Sequence, residues 1–195
     1  MKLIARTDWK AAKSTLKSGG ILAVPTETVY GLAVCYDDDN AIKKLMGLKD
    51  RAINSGKVLT IMLPSAADIP KFAIATREQM NFARRMFPGE LTLILKKNPE
   101  FKNPYFDHFD TIGIRIPAHS YMLNLLRKNG PLLVTSANLR GEAPCRSADE
   151  AKERLPMLDG IVTGKAGGSL PSTIIDWSES IPRQIRTGGL LIVHY

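Results

Sequence analysis

The sequence predicts an α/β protein with a mixed, twisted sheet flanked by helices. Short apolar runs typical of buried strands alternate along the chain with segments of helical periodicity. Two of the helical segments open with a capping box, in which Thr76 precedes Gln79 and Ser147 precedes Glu150. The composition, 44% apolar and 24% charged over 195 residues, is globular and argues against disorder.

The first half of the chain supplies three predicted helices and three predicted strands. Asp8 is the expected N-cap of the first helix, and Gly19 and Gly20 end it. In chain order, the elements are a helix over 8–18, a strand over 21–25, a helix over 40–48, a strand over 58–63, a helix over 76–86 and a strand over 91–96.

The second half is predicted to be richer in strands. In chain order, its elements are a strand over 112–116, a helix over 120–128, a strand over 131–135, a helix over 147–155, and short strands over 160–163, 173–176, 183–186 and 190–193. The stretch 97–111, rich in Pro, Asn, Asp and aromatic residues, is predicted to be a long, mobile connection. No repeat or low-complexity linker interrupts the pattern, so residues 1–195 are predicted to form a single domain.

The chain is basic, with a formal net charge of +8 and a pI of about 9.6. Basic proteins attract polyanions, so nucleotides and RNA are both candidate partners, although scattered cations are also typical of a solvated surface. No apolar run is long enough to cross a membrane, and the charged N-terminus does not resemble a signal peptide. Cys35 and Cys145 match no metal spacing, so we expect free thiols in a cytoplasmic protein.

The most informative segment runs from Gly20 to Leu32, where an apolar strand stops at a proline and is followed by several polar side chains. Thr26, Glu27 and Thr28 bring hydroxyls and one carboxylate to the carboxyl end of that strand. Open α/β sheets bind small ligands at this position. We therefore expect a small-molecule site at this edge of the sheet.

Two further motifs carry groups that bind anions, and each has a simpler explanation. Lys49 and Arg51 follow a predicted helix, and in an extended loop both would project to one side, where they grip phosphates or form solvated surface. Ser136 and Asn138 follow a buried strand, where they hydrogen-bond a ligand or form a turn.

An arginine stands inside a predicted strand between isoleucines. Alternation places Thr111 and Arg115 on one face and the isoleucines on the other. A guanidinium there needs a carboxylate or phosphate to offset its desolvation. Glu27 and a bound ligand are equally good candidates for that partner.

Several familiar chemistries are excluded by the motifs. The segment 164–168 lacks the hydroxyl and spacing of a phosphate-binding P-loop, and no dinucleotide-binding glycine motif follows a strand. The histidines His108, His119 and His194 are scattered, which argues against a metal cage or a Ser-His-Asp triad.

Taken in order, the motifs resemble the YrdC/Sua5 family over roughly residues 10–190. The matching segments are Pro25–Leu32, Lys49-x-Arg51, Pro88-Gly89-x-x-Thr92, Arg115-x-Pro117, Ser136-x-Asn138, Pro171–Thr173 and Arg186-x-Gly188. The resemblance implies a twisted α/β fold with a concave basic surface, in the short, single-domain form of the family. It also implies synthesis of threonylcarbamoyl-AMP and pyrophosphate from L-threonine, bicarbonate and ATP, assisted by Mg²⁺. The product would serve the N6-threonylcarbamoyladenosine modification of tRNA through a downstream threonylcarbamoyl-transferase complex.

The resemblance also assigns residues. It implies a catalytic quartet of Lys49, Arg51, Ser136 and Asn138. By the same resemblance, ATP would be contacted by Lys49, Arg51, Thr111, Asn138 and Arg186, and more loosely by Ser55 and Arg146. Threonine would be contacted by Thr28, Arg115, Ser136 and Ser172, and Thr60 falls at a threonine-linked position that is often histidine in the family.

Two departures keep other functions open. The run after Arg51 lacks the family's usual prolines, and with Thr60 it looks more like the YciO branch, which would imply a different amine substrate. The other alternative is a module that binds double-stranded RNA or tRNA without synthase activity, whose binding would weaken steeply with salt.

Overall fold

The computed structural model describes residues 1–49 and 59–191. Its helices are α1 (Trp9–Lys17), α2 (Asp39–Leu48), α3 (Arg77–Met86), α4 (Ser120–Asn129) and α5 (Ala148–Arg154). Its strands are β1 (Lys2–Ile4), β2 (Leu22–Val24), β3 (Gly31–Cys35), β4 (Thr60–Met62), β5 (Ala73–Ile74), β6 (Leu91–Lys97), β7 (Thr111–Arg115), β8 (Leu132–Ser136), β9 (Gly160–Val162), β10 (Thr173–Asp176) and β11 (Arg183–Arg186). Short 3₁₀ helices span Ala66–Lys71 and Phe106–His108.

The predicted helices all form, and α1, α3 and α5 begin at the caps that the sequence indicates, whereas α2 is capped by Asp38 and not by Asp39, the cap expected from the sequence. Asp8 accepts a hydrogen bond from the amide of Ala11, and Thr76 and Gln79 form a complete capping box. Ser147 caps α5, but Glu150 accepts from the amide of Arg146, so the reciprocal half of that box is absent.

The strand predictions are confirmed within one or two residues, with three omissions and one error. Strands β1, β3 and β5 were not predicted. The predicted strand over 190–193 is wrong at Leu190 and Leu191, which lie outside any strand. Its last two residues, like the first residue of the predicted strand over 58–63, lie outside the described ranges.

The strands join one mixed sheet in the order β1-β9-β2-β3-β8-β4-β7-β6-β10-β11, with β5 added beside β6. Strands β4 and β7 are parallel to each other and antiparallel to their outer neighbours β8 and β6. This confirms the predicted twisted, mixed sheet flanked by helices. None of the helices in the described ranges is long and apolar enough to cross a bilayer.

The two faces of the sheet are covered differently. Alternate strand residues such as Ile61, Leu93 and Ile114 enter the larger core, which side chains of α2 and α3 also join. On the opposite face, α1 and α4 pack over β2, β3 and β8, where Val24 and Val134 belong to a second, smaller core. The same face is left open farther along the sheet, over β6, β7 and β10.

The stretch 97–111 is better anchored than its prediction as a mobile connection suggested. Phe101, Tyr105 and Phe106 are buried in the larger core, where the ring of Phe106 contacts the other two in tilted and edge-on arrangements. Asn103 is also buried and donates to the carbonyl of Tyr36 at 2.7 Å. Aromatic residues in this segment therefore serve packing.

Candidate active site

A cavity of about 610 Å³ lies on the open part of the sheet face. Strands β4, β6, β7, β8 and β10 form its floor, and the segment 26–30 forms one wall. This volume lies within the range of about 300–1,000 Å³ that is usual for small-molecule sites. The predicted position at one edge of the sheet is wrong in one respect. Thr111 at the start of β7 and Arg115 at its end lie on the same face of this strand and both line the cavity, which therefore extends along the face.

Most of the residues that were assigned to ligands meet in this cavity. Its lining includes Thr28, Thr60, Thr111, Arg115, Ser136, Ser172 and Arg186. Lys49, Asn138 and Arg146 do not line it, and Arg51 and Ser55 lie outside the described residues. Strand alternation explains the agreement for β7, because Thr111, Gly113 and Arg115 all face the cavity while Ile112 and Ile114 are buried in the core.

Arg115 is held at the cavity wall by two protein oxygens. Its Nη2 donates to Glu27 Oε1 at 2.7 Å and to Thr28 Oγ1 at 2.8 Å. The side chains of Arg115 and Glu27 are only 7% and 12% exposed. The partner that desolvation of this arginine requires is therefore a protein carboxylate.

A second arginine approaches the cavity from β11. Arg186 donates from Nε to the carbonyl of Ser172 at 2.9 Å and from Nη2 to the Ser172 hydroxyl at 3.1 Å. The same hydroxyl hydrogen-bonds to Thr92 Oγ1 at 2.8 Å. Partial burial and the neighbouring Arg115 guanidinium lower the pKa of Arg186. We call Arg115, Ser172 and Arg186 the arginine site.

Lys49, Ser136 and Asn138 form a separate group, which we call the Lys49 cluster. The Lys49 ammonium donates to Ser136 O at 3.0 Å, to Asn138 O at 2.6 Å and to Asn138 Oδ1 at 2.8 Å. Ser136 donates its hydroxyl to the same Asn138 Oδ1, and Asn138 Nδ2 donates to the carbonyls of Leu139 and Glu142. Lys49 is 2% exposed. The cluster therefore fixes the turn after β8 and presents Ser136 to the cavity.

The prediction that Lys49 projects from an extended loop is wrong. Lys49 is the C-cap of α2, with φ −87° and ψ 2°, and its side chain turns inward. A helix end directs its side chain differently from a strand-like loop, and the acceptors that hold Lys49 lie far along the chain. The sequence around Lys49 alone contains no sign of them.

Arg146 lies away from the cavity on an exposed segment. Its amide donates to Glu150 Oε2 and its carbonyl accepts from the amide of Ala166. Its predicted nucleotide contact stays a prediction.

The structure adds cavity residues that were not singled out from the sequence. Ile94, Ile174 and Ile185 supply apolar lining, and Asp176 supplies a carboxylate. The Oδ1 atom of Asp176 accepts from the amide and hydroxyl of Ser178. Alternation with the buried Ile175 places Asp176 on the cavity face, a signal that the sequence contains but that a short strand makes weak.

No group of three or more His, Cys, Asp or Glu side chains that would hold a metal ion occurs in the described part of the chain. Cys35 and Cys145 are free, buried thiols, and burial raises the pKa of each.

Comparison with known proteins shows what this chain is similar to. A family profile named Sua5/YciO/YrdC, described as "Telomere recombination", matches residues 14–188. The threonylcarbamoyl-AMP synthase of Mus musculus is 32% identical over 185 residues, which are 89% of this chain and 65% of that protein. The chain therefore spans less than two thirds of the length of this relative.

Two solved structures share the fold. P. abyssi Sua5 complexed with L-threonine aligns with a TM-score of 0.88 at 30% identity, over 97% of this chain and 58% of that one. E. coli YciO aligns with a TM-score of 0.86 at 26% identity, over 96% of this chain and 95% of that one.

Proposed function

This chain belongs to the Sua5/YciO/YrdC family, and on that premise we propose that it is an L-threonylcarbamoyladenylate synthase. The reaction would join L-threonine, bicarbonate and ATP to give threonylcarbamoyl-AMP and pyrophosphate, for the threonylcarbamoyladenosine modification of tRNA. The observation that carries this proposal is the cavity, in which hydroxyls surround two arginines, together with the relative that was solved with L-threonine. The continuous sheet supports treating residues 1–195 as one domain.

The arginine site would hold the amino acid. The guanidinium of Arg115 matches the carboxylate of threonine, and Thr28 and Ser172 offer hydroxyls beside it. Thr60 and Ser136 line the same cavity and would bound the remainder of the substrate. These hydroxyl-rich surroundings suit a small polar side chain.

The nucleotide would occupy the rest of the cavity. Thr111 and Arg186 line it, and Asn138 and Lys49 would act there through the turn that carries Ser136. Contacts from Arg51, Ser55 and Arg146 complete the nucleotide site that the family resemblance implies. Mg²⁺ would enter bound to the triphosphate, where it neutralises phosphate charge.

Positioning would supply most of the catalysis. The amine of threonine and CO₂ derived from bicarbonate form a carbamate, whose oxygen attacks the α-phosphorus as the bond to pyrophosphate breaks. The carbamate is a weak and unstable nucleophile, so holding it next to the α-phosphate matters more than a general base. Cations and hydroxyl donors at the cavity would stabilise the charge that develops on the phosphate oxygens.

Pyrophosphate release tests the proposal. Protein, ATP, Mg²⁺ and bicarbonate are mixed with L-threonine or another amino acid, and we expect release only with threonine and bicarbonate present. Arg51→Ala should abolish the release. The matched control is Arg85→Ala, which removes an exposed arginine on α3. Equal release with every amino acid, or none with threonine, would sink the assignment.

A second candidate is a YciO-like paralogue that uses a different amine. It is favoured by the alignment with E. coli YciO, which covers 95% of that chain. The same assay with a panel of amines decides between the two candidates.

We also propose that the protein binds double-stranded RNA or tRNA, and that it passes its product to a downstream threonylcarbamoyl-transferase complex. The net charge of +8 supports contact with RNA. Filter binding of tRNA at increasing salt tests this contact, and binding that does not respond to salt would count against it.

The free thiols are in keeping with the predicted cytoplasmic location.

A further inference from the structure

The ion pair between Arg115 and Glu27 is built in an unusual way. One guanidinium nitrogen, Nη2, makes both of the hydrogen bonds, to Glu27 Oε1 and to Thr28 Oγ1. Arg115 Nε and Glu27 Oε2 are buried and have no hydrogen-bond partner among the described residues. Buried polar groups are nearly always paired, so two such atoms on one ion pair call for an explanation.

Arg115 lines the cavity, and because its Nε is buried and its Nη2 is engaged, Nη1 is the nitrogen left for a ligand. Carboxylates bind arginine best through two parallel hydrogen bonds. Glu27 makes one such bond and leaves Nε unused, because Nη2 is shared with the Thr28 hydroxyl. A second carboxylate, brought by a ligand, would bind the guanidinium through Nη1 without displacing Glu27.

The backbone around Glu27 is held in place. The amides of Gly167 and Gly168 donate to the carbonyls of Thr26 and Thr28, each at 2.9 Å. A Cβ at Gly167 or at Gly168 would lie 3.0 Å from the carbonyl oxygen of Glu27, so any larger residue at either position would press on this backbone. The carboxylate therefore stays beside Arg115 when a ligand enters.

The two arginines of the cavity differ in charge compensation. Arg115 is paired with a carboxylate at 2.7 Å, whereas the hydrogen bonds of Arg186 go to the neutral carbonyl and hydroxyl of Ser172. A paired cation attracts a polyanion much less than an uncompensated one does. The triphosphate of a nucleotide is consequently drawn toward Arg186, and Arg115 is left for a singly charged group.

We propose that Glu27 is a specificity-determining and positioning residue that reserves Arg115 for the carboxylate of the amino-acid substrate and keeps phosphate away from it. Glu27 acts through Arg115, by fixing its Nη2 and by cancelling most of its charge. The identity of the amino acid rests on the proposed function, but the discrimination between carboxylate and phosphate does not.

Calorimetric titration of the full chain with L-threonine and, separately, with pyrophosphate tests this inference. In Glu27→Gln we expect the affinity for threonine to fall about tenfold and the affinity for pyrophosphate to rise at least fivefold. In Glu27→Asp the charge stays but the contact is lost, so threonine binding should weaken while pyrophosphate binding stays unchanged. Glu153→Gln removes an exposed carboxylate on α5 and is the matched control for net charge.

Unchanged affinities for both probes in Glu27→Gln would overturn the inference. If that variant does not fold, Glu27→Asp decides, and wild-type affinity for threonine in Glu27→Asp would overturn it equally. If the wild-type chain binds no threonine, the proposed synthase activity fails. The gain of pyrophosphate binding in Glu27→Gln then still decides the role of Glu27.

Discussion

The Lys49 cluster and the arginine site both place cations beside hydroxyl and amide groups, yet they differ in how completely those groups are satisfied. Among the described residues the Lys49 ammonium donates to three oxygens, and both polar side-chain atoms of Asn138 are hydrogen-bonded. In the arginine site, both hydrogen bonds of Arg115 leave from Nη2, so its Nη1 has no partner in the described part of the chain. A saturated cluster builds the backbone around the cavity, whereas an unsaturated one offers a ligand something to bind.

This difference divides the family's motif residues into two roles. Ser136 is the member of the Lys49 cluster that reaches the cavity, with Lys49 and Asn138 behind it. Variants of Lys49 and Asn138 should therefore affect folding first and ligand binding second. Variants of the arginine site should show the reverse order.

The largest effect is expected for Lys49→Met. It leaves two carbonyls and the Asn138 amide oxygen without their buried donor, so the free energy of unfolding should fall by about 3 kcal/mol. Urea denaturation measures this change. Lys43→Met on the exposed side of the same helix is the control. If the Lys49→Met protein is as stable as the wild type but binds ATP poorly, Lys49 contacts the ligand, and the two regions do not differ in the way described.

Arg115→Met should have the next largest effect, on activity. Threonine-dependent pyrophosphate release should fall about 100-fold, or about 2.7 kcal/mol, because the carboxylate of the substrate loses its cation. The single variant also leaves Glu27 buried without its partner. The double variant Arg115→Met, Glu27→Leu should regain stability but not activity. Recovery of activity in the double variant would mean that the ion pair is purely structural.

Ser172→Ala should act more mildly on the same site. It removes the hydroxyl that Arg186 and Thr92 share, while the bond from Arg186 Nε to the Ser172 carbonyl remains. Losing one such hydrogen bond costs about 1 kcal/mol, so KM for threonine should rise about fivefold with little change in unfolding. Ser169→Ala, three residues earlier on an exposed segment, is the control. If the loss in free energy of unfolding exceeds the free energy that corresponds to the change in KM, Ser172 has a structural role like that of the Lys49 cluster.

The smallest effect is expected from His119, whose Nδ1 is also buried without a hydrogen-bond partner in the described ranges. Burial and the charge of Arg6 lower the pKa of His119 below 6.5, although Glu27 opposes this. Below pH 6.5 the unfolded chain takes up a proton before the folded chain does, so stability should fall as the pH falls from there. Thermal unfolding between pH 7.5 and 5 should show this loss, and His119→Gln should flatten it. The control is His108→Gln. If the thermal stability of His119→Gln depends on pH as that of the wild type does, His119 is not the group responsible for the loss.

Local signals were sufficient to predict most of the fold. Capping residues such as Asp8 and Thr76 fix helix starts through contacts within three residues, which a sequence displays directly. The missed strand β3 begins seven residues after the end of β2, and its first two residues belong to the segment from Gly20 to Leu32, which was interpreted through its polar groups. Strands β1 and β5 are two or three residues long, and only their pairing with β9 and β6 defines them.

The site was predicted best where one strand sets the geometry. Period-two alternation placed Thr111 and Arg115 together on the cavity face. By contrast, Lys49 hydrogen-bonds to Asn138, which lies 89 positions away in the sequence, so no local pattern indicates that Lys49 is buried. The choice between Glu27 and a ligand as the partner of Arg115 also depended on tertiary structure, because the two residues are 88 positions apart.

The strand order has a consequence for folding of the chain during its synthesis on the ribosome. The cavity floor needs β10, whose Thr173 pairs with Leu91 of β6, and the outer edge of the sheet needs β9 before β1 has any neighbour. Strands that are far apart in the sequence pair late during folding, because the entropy cost of closing the long loop between them must be overcome first. A nascent chain that stops before residue 173 therefore lacks part of the cavity floor, and ligand binding should begin only when synthesis is almost finished.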